Sequence, residues 1–358
     1  MSAPESMPTV PPATRMMGYD EAVDHALAQA MTSDDRVVTW GEDVKLLRRN
    51  LLAQFGPKRV LDTPISESAF MYAGIGAAMA GLKPVVELYM IDFAAVGWAA
   101  IVNGASKFPD FSGGRVTVPL VIRAGYGGWY TDGGQHEQAF WGAAGSYPST
   151  NVVVPATPAD AAGLMTEALR RDEFTVFLTP KLLDAQMLDY LGGDSRPTVD
   201  FSALQPTGGA TGEVPLTIEP IPFGRATVRR DGPDVVLISV GVGVHRCLEA
   251  AEALAGLGIG ATVLDLRTVA PLDTDAIVQH AARTGRIVVV DEDYRRAGLT
   301  GEIAALLLES GIPAEYRRVA VEETIPFAPH LEYETLPNVE RIIATVEEMT
   351  GDGRTERD

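Results

Sequence analysis

A single cysteine, Cys247, stands in 358 residues. That excludes an internal disulfide and a cysteine-built zinc cluster, and Cys247 falls inside a helical pattern as a packing residue. Basic residues are also scarce: 29 Lys and Arg stand against 48 Asp and Glu, a net charge of −19. Nucleic acid is thereby excluded as a partner, because phosphate binding needs a basic stripe. No apolar run reaches the roughly 18 residues of a membrane helix, and no charged-then-apolar leader opens the chain. The expectation is a cytoplasmic protein with no membrane partner. Short-period repeats are missing too.

What is present is 46% hydrophobic residues, enough for two sizeable cores. Residues 1–17, with four prolines among small polar residues, are expected outside the folded core. From Tyr19 onward, continuous apolar strands alternate with helices as far as Leu178, the clearest helix running from Pro158 to Arg170. Segment 192–216, rich in glycine and proline, reads as a linker. The alternation resumes beyond it to about residue 348, and 349–358 is a charged tail. The fold class expected is α/β: two domains, 18–191 and 217–348, each a mainly parallel sheet flanked by helices.

The most informative stretch is Leu61 to Met90, LDTPISESAFMYAGIGAAMAGLKPVVELYM. Thr63 or Ser66 is placed to cap a helix start, and Ser68 to Leu82 is almost entirely small or apolar, which predicts a helix buried on every side. Lys83-Pro84 ends it and Val85 to Met90 reads as a buried strand. Glu67 stands at the head of that helix. An acid there complements the helix dipole; a carboxylate removed from water is also suited to share a proton with a ligand. Glu42, in the Gly41-Glu42-Asp43 turn after a strand, is a second candidate carboxylate, with a solvent-facing loop residue as the alternative. Ala124 to Gln138 (AGYGGWYTDGGQHEQ) is a glycine-rich loop after another strand, where an α/β sheet places its ligand. It carries His136.

Two glycine motifs are decoys. Gly241-Val242-Gly243 opens a helix after a strand, but Arg246 occupies the third glycine position of a dinucleotide fingerprint. Gly351-Asp352-Gly353 lies in the terminal tail, with no room for the Asn that a magnesium-diphosphate motif needs.

DTPISE, the small-residue helix, PVVE, the Asp92-Phe93 pair, Gln135-His136, Val153 to Ala161, DLRT at Asp265 to Thr268, Pro271-Leu272-Asp273, VVVDEDYR at Val288 to Arg295 and TIPF at Thr324 to Phe327 together resemble the beta subunit of the thiamine-diphosphate-dependent 2-oxo acid dehydrogenases. The resemblance spans about residues 18 to 348. It implies a transketolase-like pyrimidine-binding domain followed by a transketolase C-terminal-like domain. It also implies thiamine diphosphate shared with an alpha subunit that holds Mg2+ and the diphosphate, in an alpha2beta2 heterotetramer that serves a lipoyl acyltransferase core. By the same resemblance, Glu67 hydrogen-bonds the cofactor's ring nitrogen N1′, Phe93 packs on the aminopyrimidine, Glu42 lies by the pocket, and His136 stands near substrate and acyl acceptor. No metal ligand is assigned to this chain. The family's structural potassium site, at the end of the helix matching Ala168 to Glu173, does not align cleanly.

The chain departs from the family at His136-Glu137-Gln138, where Ser usually follows the histidine. Glu137 is expected to add negative charge beside the substrate, and Trp129-Tyr130 to add bulk there. The function implied is decarboxylation of pyruvate or a branched-chain 2-oxo acid with acyl transfer to lipoyl-lysine. The alternatives are a two-subunit carboligase or acetoin-cleaving enzyme without a lipoyl core, and a subunit that only scaffolds its partner.

Overall fold

Strands whose every side chain is apolar need cover on both faces, and the computed structural model supplies it; it describes residues 13–185, 188 and 204–351. In the first half the strands are β2 (Val37–Gly41), β3 (Val60–Asp62), β4 (Lys83–Met90), β5 (Val121–Tyr126), β6 (Asn151–Val153) and β7 (Thr175–Pro180), preceded by β1 (Thr14–Gly18). In the second half they are β8 (Thr211–Pro215), β9 (Thr227–Arg230), β10 (Val235–Ser239), β11 (Ala261–Asp265), β12 (Thr268–Ala270), β13 (Arg286–Tyr294) and β14 (Glu315–Val321). The main sheet runs β12-β6-β7-β5-β4-β2-β3 and the second β14-β13-β10-β11-β9. Both are parallel except at one edge, where β12 meets β6 and β9 meets β11 antiparallel.

β5 and β7 are buried along their whole length, as sheets covered on both faces require. The Pro158–Arg170 helix starts where its sequence says it should: Thr157 Oγ1 accepts from Asp160 N and proline occupies the first turn.

Several expectations need correction. Residues 14–17, placed outside the core, belong to β1, which pairs with β8 at 211–215, inside the expected linker. Met17 is buried there. Residues 192–203 of that linker, and the tail from 352, lie outside the described residues. Ala94 to Lys107, which reads in sequence as one helix after the Val85–Met90 strand, forms instead a 3-10 turn at Ile91–Ala95 and a π-helical segment at Ala100–Ala105. Tertiary packing overrides the local pattern here: Gly97 seats against Met71 and Gly104 against Ile75, both so closely that a Cβ would collide.

The two halves are closely joined. β12 follows the linker in sequence but extends the first sheet, and one apolar cluster runs from Phe70 and Leu88 to Val236 and Leu299. Arg229 and Arg267 of the second half both pair with Asp160 of the first, Arg267 at 2.7 Å, while Arg229 also holds Asp265 at 2.8 Å. Among the described residues, no helix is long and apolar enough to cross a membrane.

Candidate active site

Glu42, Glu67, Phe93 and His136 all follow parallel strands at their carboxyl ends: β2, β3, β4 and β5 respectively, which lie side by side as β5-β4-β2-β3. The outer edge formed by strand carboxyl ends is where open α/β sheets bind ligands.

Glu67 is the first residue of the Glu67–Met79 helix and is 8% exposed. Ser66 stands at the cap position, but its side chain makes no capping bond. Nor is this helix buried all round, as expected. Phe70, Met71, Gly74, Ile75 and Ala78 face the core, Gly74 close against Val86 and Leu120, while Ile65, Tyr72 and Met79 are bare. Ser68 Oγ donates to the Val96 carbonyl at 2.8 Å, tying the head of this helix to the turn that carries Phe93.

Phe93 is half-buried, and its ring meets the His136 imidazole edge-on, with 5.7 Å between centroids. The Glu42 carboxyl is raised above its usual range by partial burial and by the negative charges of Asp43 and Glu67. Phe93 thus touches His136, Glu42 feels the charge of Glu67, and the Ser68–Val96 bond ties the Glu67 helix to the turn that carries Phe93.

Three buried charged residues to which the sequence assigned no candidate role support this edge. Asp92 accepts from Gln138 N at 3.2 Å and from Gln138 Nε2 at 2.9 Å, and burial raises its carboxyl. Lys181, just after β7, donates to the His136 carbonyl at 2.5 Å; burial lowers its ammonium, partly offset by Glu137 and Asp92. Glu332, from the Pro329–Thr335 helix of the second half, accepts from Trp129 N and, at 3.1 Å, from Thr131 N. A charged residue abutting an apolar strand, as at Asp92 and Lys181, was the available signal; for Glu332 the sequence offers none.

The expectations for Glu137, Trp129 and Tyr130 are overturned. Glu137 is fully buried and accepts from Tyr130 N at 2.8 Å and Asp132 N at 3.1 Å. Burial and the facing Glu332 carboxylate push it up to about 8. Trp129 and Tyr130 are buried as well. Trp129 lies beneath Arg246, 5.1 Å from its ring centroid, and against Tyr333.

The decoy helix at Val242–Gly256 is closed at its start: Tyr126 Oη lies 3.4 Å from Val242 N, and a Cβ on Gly241 would overlap it. At the helix end where the family's potassium is placed, Lys83 Nζ lies 2.9 Å from the Leu169 carbonyl. No group of three His, Cys, Asp or Glu fit to hold a metal occurs among the described residues. A cavity of about 810 Å3 lined by His25, Gln29, Lys83 and Arg170 includes none of the four candidates; Glu42 lines a small pocket with Arg48, Glu87 and Arg123, and an apolar cavity of about 400 Å3 lined by Ile91, Ala94, Trp98 and Phe140 flanks the turn that carries Phe93.

Residues 15–185 match the transketolase pyrimidine-binding domain and residues 224–342 the transketolase C-terminal domain. The beta subunit of acetoin:2,6-dichlorophenolindophenol oxidoreductase from Bacillus subtilis is 33% identical over 94% of this chain and 98% of that protein. The chain belongs to the beta-subunit family of the 2-oxo acid and acetoin dehydrogenases. Another beta subunit, that of the pyruvate dehydrogenase E1 component from Rickettsia felis, is 34% identical over 92% of this chain and 97% of its own length. Among solved structures, a split-gene transketolase described as an inactive beta4 tetramer superposes with a TM-score of 0.73 at 22% identity, covering 93% of this chain and 97% of that one. That likeness establishes the fold. The beta-subunit family is a thiamine-diphosphate family, and the name beta subunit implies an alpha partner.

Proposed function

We propose that this chain is the ring-activating half of a two-chain thiamine-diphosphate enzyme that decarboxylates a 2-oxo acid, pyruvate or branched-chain, and passes the acyl group to lipoyl-lysine. The observation that carries the reading is a carboxylate 8% exposed at a helix head, Glu67, on the same carboxyl edge of four adjacent strands as the Phe93–His136 pair.

A buried acid and a half-buried aromatic ring on one strand-end edge suit a protonatable heteroaromatic ligand. The buried cations nearby are engaged: Arg48 holds Glu87 at 3.1 Å and Lys181 holds the His136 carbonyl. Binding of diphosphate and Mg2+ is therefore assigned to the alpha subunit. Thiamine diphosphate, when bound, supplies the nucleophilic carbon and the electron sink for loss of carbon dioxide. Glu67 holds the proton at ring nitrogen N1′, with Glu42 reinforcing the negative field around it. Phe93 packs on the ring face. His136 donates to the substrate carboxylate and moves a proton at the acyl acceptor.

The bare face of the Glu67–Met79 helix is the surface the alpha subunit covers, within an alpha2beta2 assembly. One observation favours a second reading, cleavage of acetoin without a lipoyl core: a relative matching almost the full chain is named for acetoin.

Co-expression with an alpha subunit, followed by carbon dioxide release from a panel of 2-oxo acids with thiamine diphosphate, Mg2+ and an artificial electron acceptor, tests both. Activity only with the partner, lost in Glu67→Gln, supports the split site. Turnover of acetoin alone favours the second reading, and full activity of the isolated chain refutes both.

A further inference from the structure

Four consecutive backbone N–H groups, Trp129 to Asp132, are taken by two carboxylates in strict alternation. Glu332 accepts from Trp129 and Thr131; Glu137 accepts from Tyr130 and Asp132 through Oε1 alone. The backbone that presents them is strained, with φ of +80° at Trp129 and +57° at Thr131, neither of them glycine. Alternating left-handed residues turn successive N–H groups into an anion-binding concavity, and each left-handed non-glycine costs about 1–3 kcal/mol unless its surroundings enforce it. Here the enforcing anions are the protein's own. Glu137 Oε2 is buried with no hydrogen-bond partner, and the Glu332 carboxylate, held by the alternate N–H groups of the same loop, stands against Glu137. Two carboxylates can bond to one another only if a proton lies between them.

We propose that Glu137 and Glu332 share one proton and act together as the positioning pair that holds the strained Trp129–Asp132 backbone, and through it His136, at the site. His136 follows directly, its carbonyl fixed by Lys181 and its ring nitrogen Nδ1 3.3 Å from the Asp132 carbonyl. The second half of the chain makes two more grips on this loop: Gly134 N donates to the Ile325 carbonyl at 2.8 Å, and the Trp129 indole N–H reaches Glu292 at 3.4 Å.

The charged and titratable groups facing the pair are Tyr130 and Asp132 from the loop, Lys181 and Asp184 after β7, and Asp92 beyond Lys181. On the far side of Trp129 stand Glu292 and Arg246. Lys181 is the cation closest in effect to Glu137, and it does not remove the need for the proton, because burial and Glu332 both oppose a second negative charge. Raising the pH strips the shared proton and leaves two carboxylates in repulsion beneath a strained loop.

The two glutamates then differ in how they tolerate amide replacement. In Glu137→Gln, the amide oxygen still accepts from Tyr130 and Asp132, and the amide nitrogen donates to Glu332 permanently. In Glu332→Gln, one of two accepting oxygens becomes a donor facing a backbone N–H.

The proposal's link to catalysis rests on His136 being a site residue; the pair itself is tested on the full-length chain without turnover. Amide hydrogen exchange of segment 126–138, corrected for the intrinsic pH effect, is followed from pH 6 to 9.5, alongside kcat/KM of the chain combined with its alpha partner. In wild type, protection falls by about tenfold per pH unit once the shared proton is lost. Glu137→Gln keeps protection across the range and loses the alkaline limb of kcat/KM, whereas Glu332→Gln exposes the segment at every pH. Wild-type protection that ignores pH, or equal loss in the two variants, overturns the proposal. If exchange behaves as stated but no 2-oxo acid or acetoin is turned over, the functional reading fails and the positioning pair stands.

Discussion

The ring of Phe93 meets the imidazole of His136 edge-on at 5.7 Å, although the two residues are carried by turns after different strands. Edge-to-face pairs are worth about 0.5–1.5 kcal/mol beyond the area they bury, so each ring helps orient the other. Phe93→Ala is expected to loosen the imidazole and lower kcat/KM by about tenfold or more. Phe93→Leu, which restores bulk without the aromatic edge, should recover the melting temperature but not the activity. Equal activity in the wild type and both variants would remove Phe93 from the site.

His136 lies on a loop and is half-buried, so its removal is expected to spare the fold. His136→Ala should reduce kcat by about a hundredfold or more, the range for a lost proton-transfer group. The melting temperature should stay within about two degrees of wild type, as for a substitution outside the core. Steady-state kinetics and thermal unfolding of the same preparation check both; unchanged kcat would assign the proton transfer elsewhere.

The chain should lose stability as pH rises from 6 to 8. Burial raises Glu292 to about 7 from its ordinary 4.5, and raises Glu137, Asp291 and Asp293 as well. For an acid raised in the folded state, the native chain binds more protons than the unfolded one above pH 4.5. Its stabilising contribution is therefore complete below the unfolded value and is lost as pH rises through the folded one. Each such proton contributes about 1.4 kcal/mol per pH unit inside its window. Thermal unfolding between pH 6 and 8 should show the decline, and Glu292→Gln should flatten it. A melting temperature that climbs across this window would contradict the burial of protonated carboxyls.

Lys83 Nζ lies 2.9 Å from the Leu169 carbonyl and 3.3 Å from Asp172, at the C-terminus of the Pro158–Arg170 helix. A cation there satisfies an open carbonyl and offsets the helix dipole. Lys83→Met keeps the stem and removes the charge, and should cost about 2 kcal/mol, the range for a buried charge-assisted hydrogen bond. Urea unfolding measures it; a loss under about 0.5 kcal/mol, no more than a typical surface substitution, would show the ammonium to be incidental.

The strand–helix alternation and the strand-end location of Glu42, Glu67, Phe93 and His136 were legible because sheets covered on both faces write their strands as apolar runs, with chemistry left to the turns. The positioning residues were not. Glu332 meets Trp129 across 203 residues of sequence, and no local pattern encodes that distance. β12 has only three residues, too few to show a period. The VVVDEDYR segment reads as a strand end; its acids in fact hold the neighbouring domain, Asp291 through the Trp141 indole at 3.0 Å and Asp293 through Gly142 N at 2.8 Å. Glu137 follows His136 in sequence, yet is buried against the loop's own N–H groups, a use that no local pattern announces.

The bare side of the Glu67–Met79 helix makes the last prediction. Tyr72 is 43% exposed and Met79 47%, with Ile65 and Val96 bare beside them. Large apolar side chains clustered on one face mark an interaction surface. Since these residues carry little of this chain's own core, Tyr72→Glu and Met79→Glu should leave its unfolding temperature unchanged. If the alpha subunit covers this face, a desolvated, unpaired carboxylate in the contact should weaken association by more than about tenfold, given 2–5 kcal/mol for an uncompensated buried charge. Sedimentation velocity of the mixed subunits reads the result directly. Full assembly with either glutamate in place would move the alpha contact to another face and, with it, the reason for a helix so rich in alanine and glycine behind Glu67.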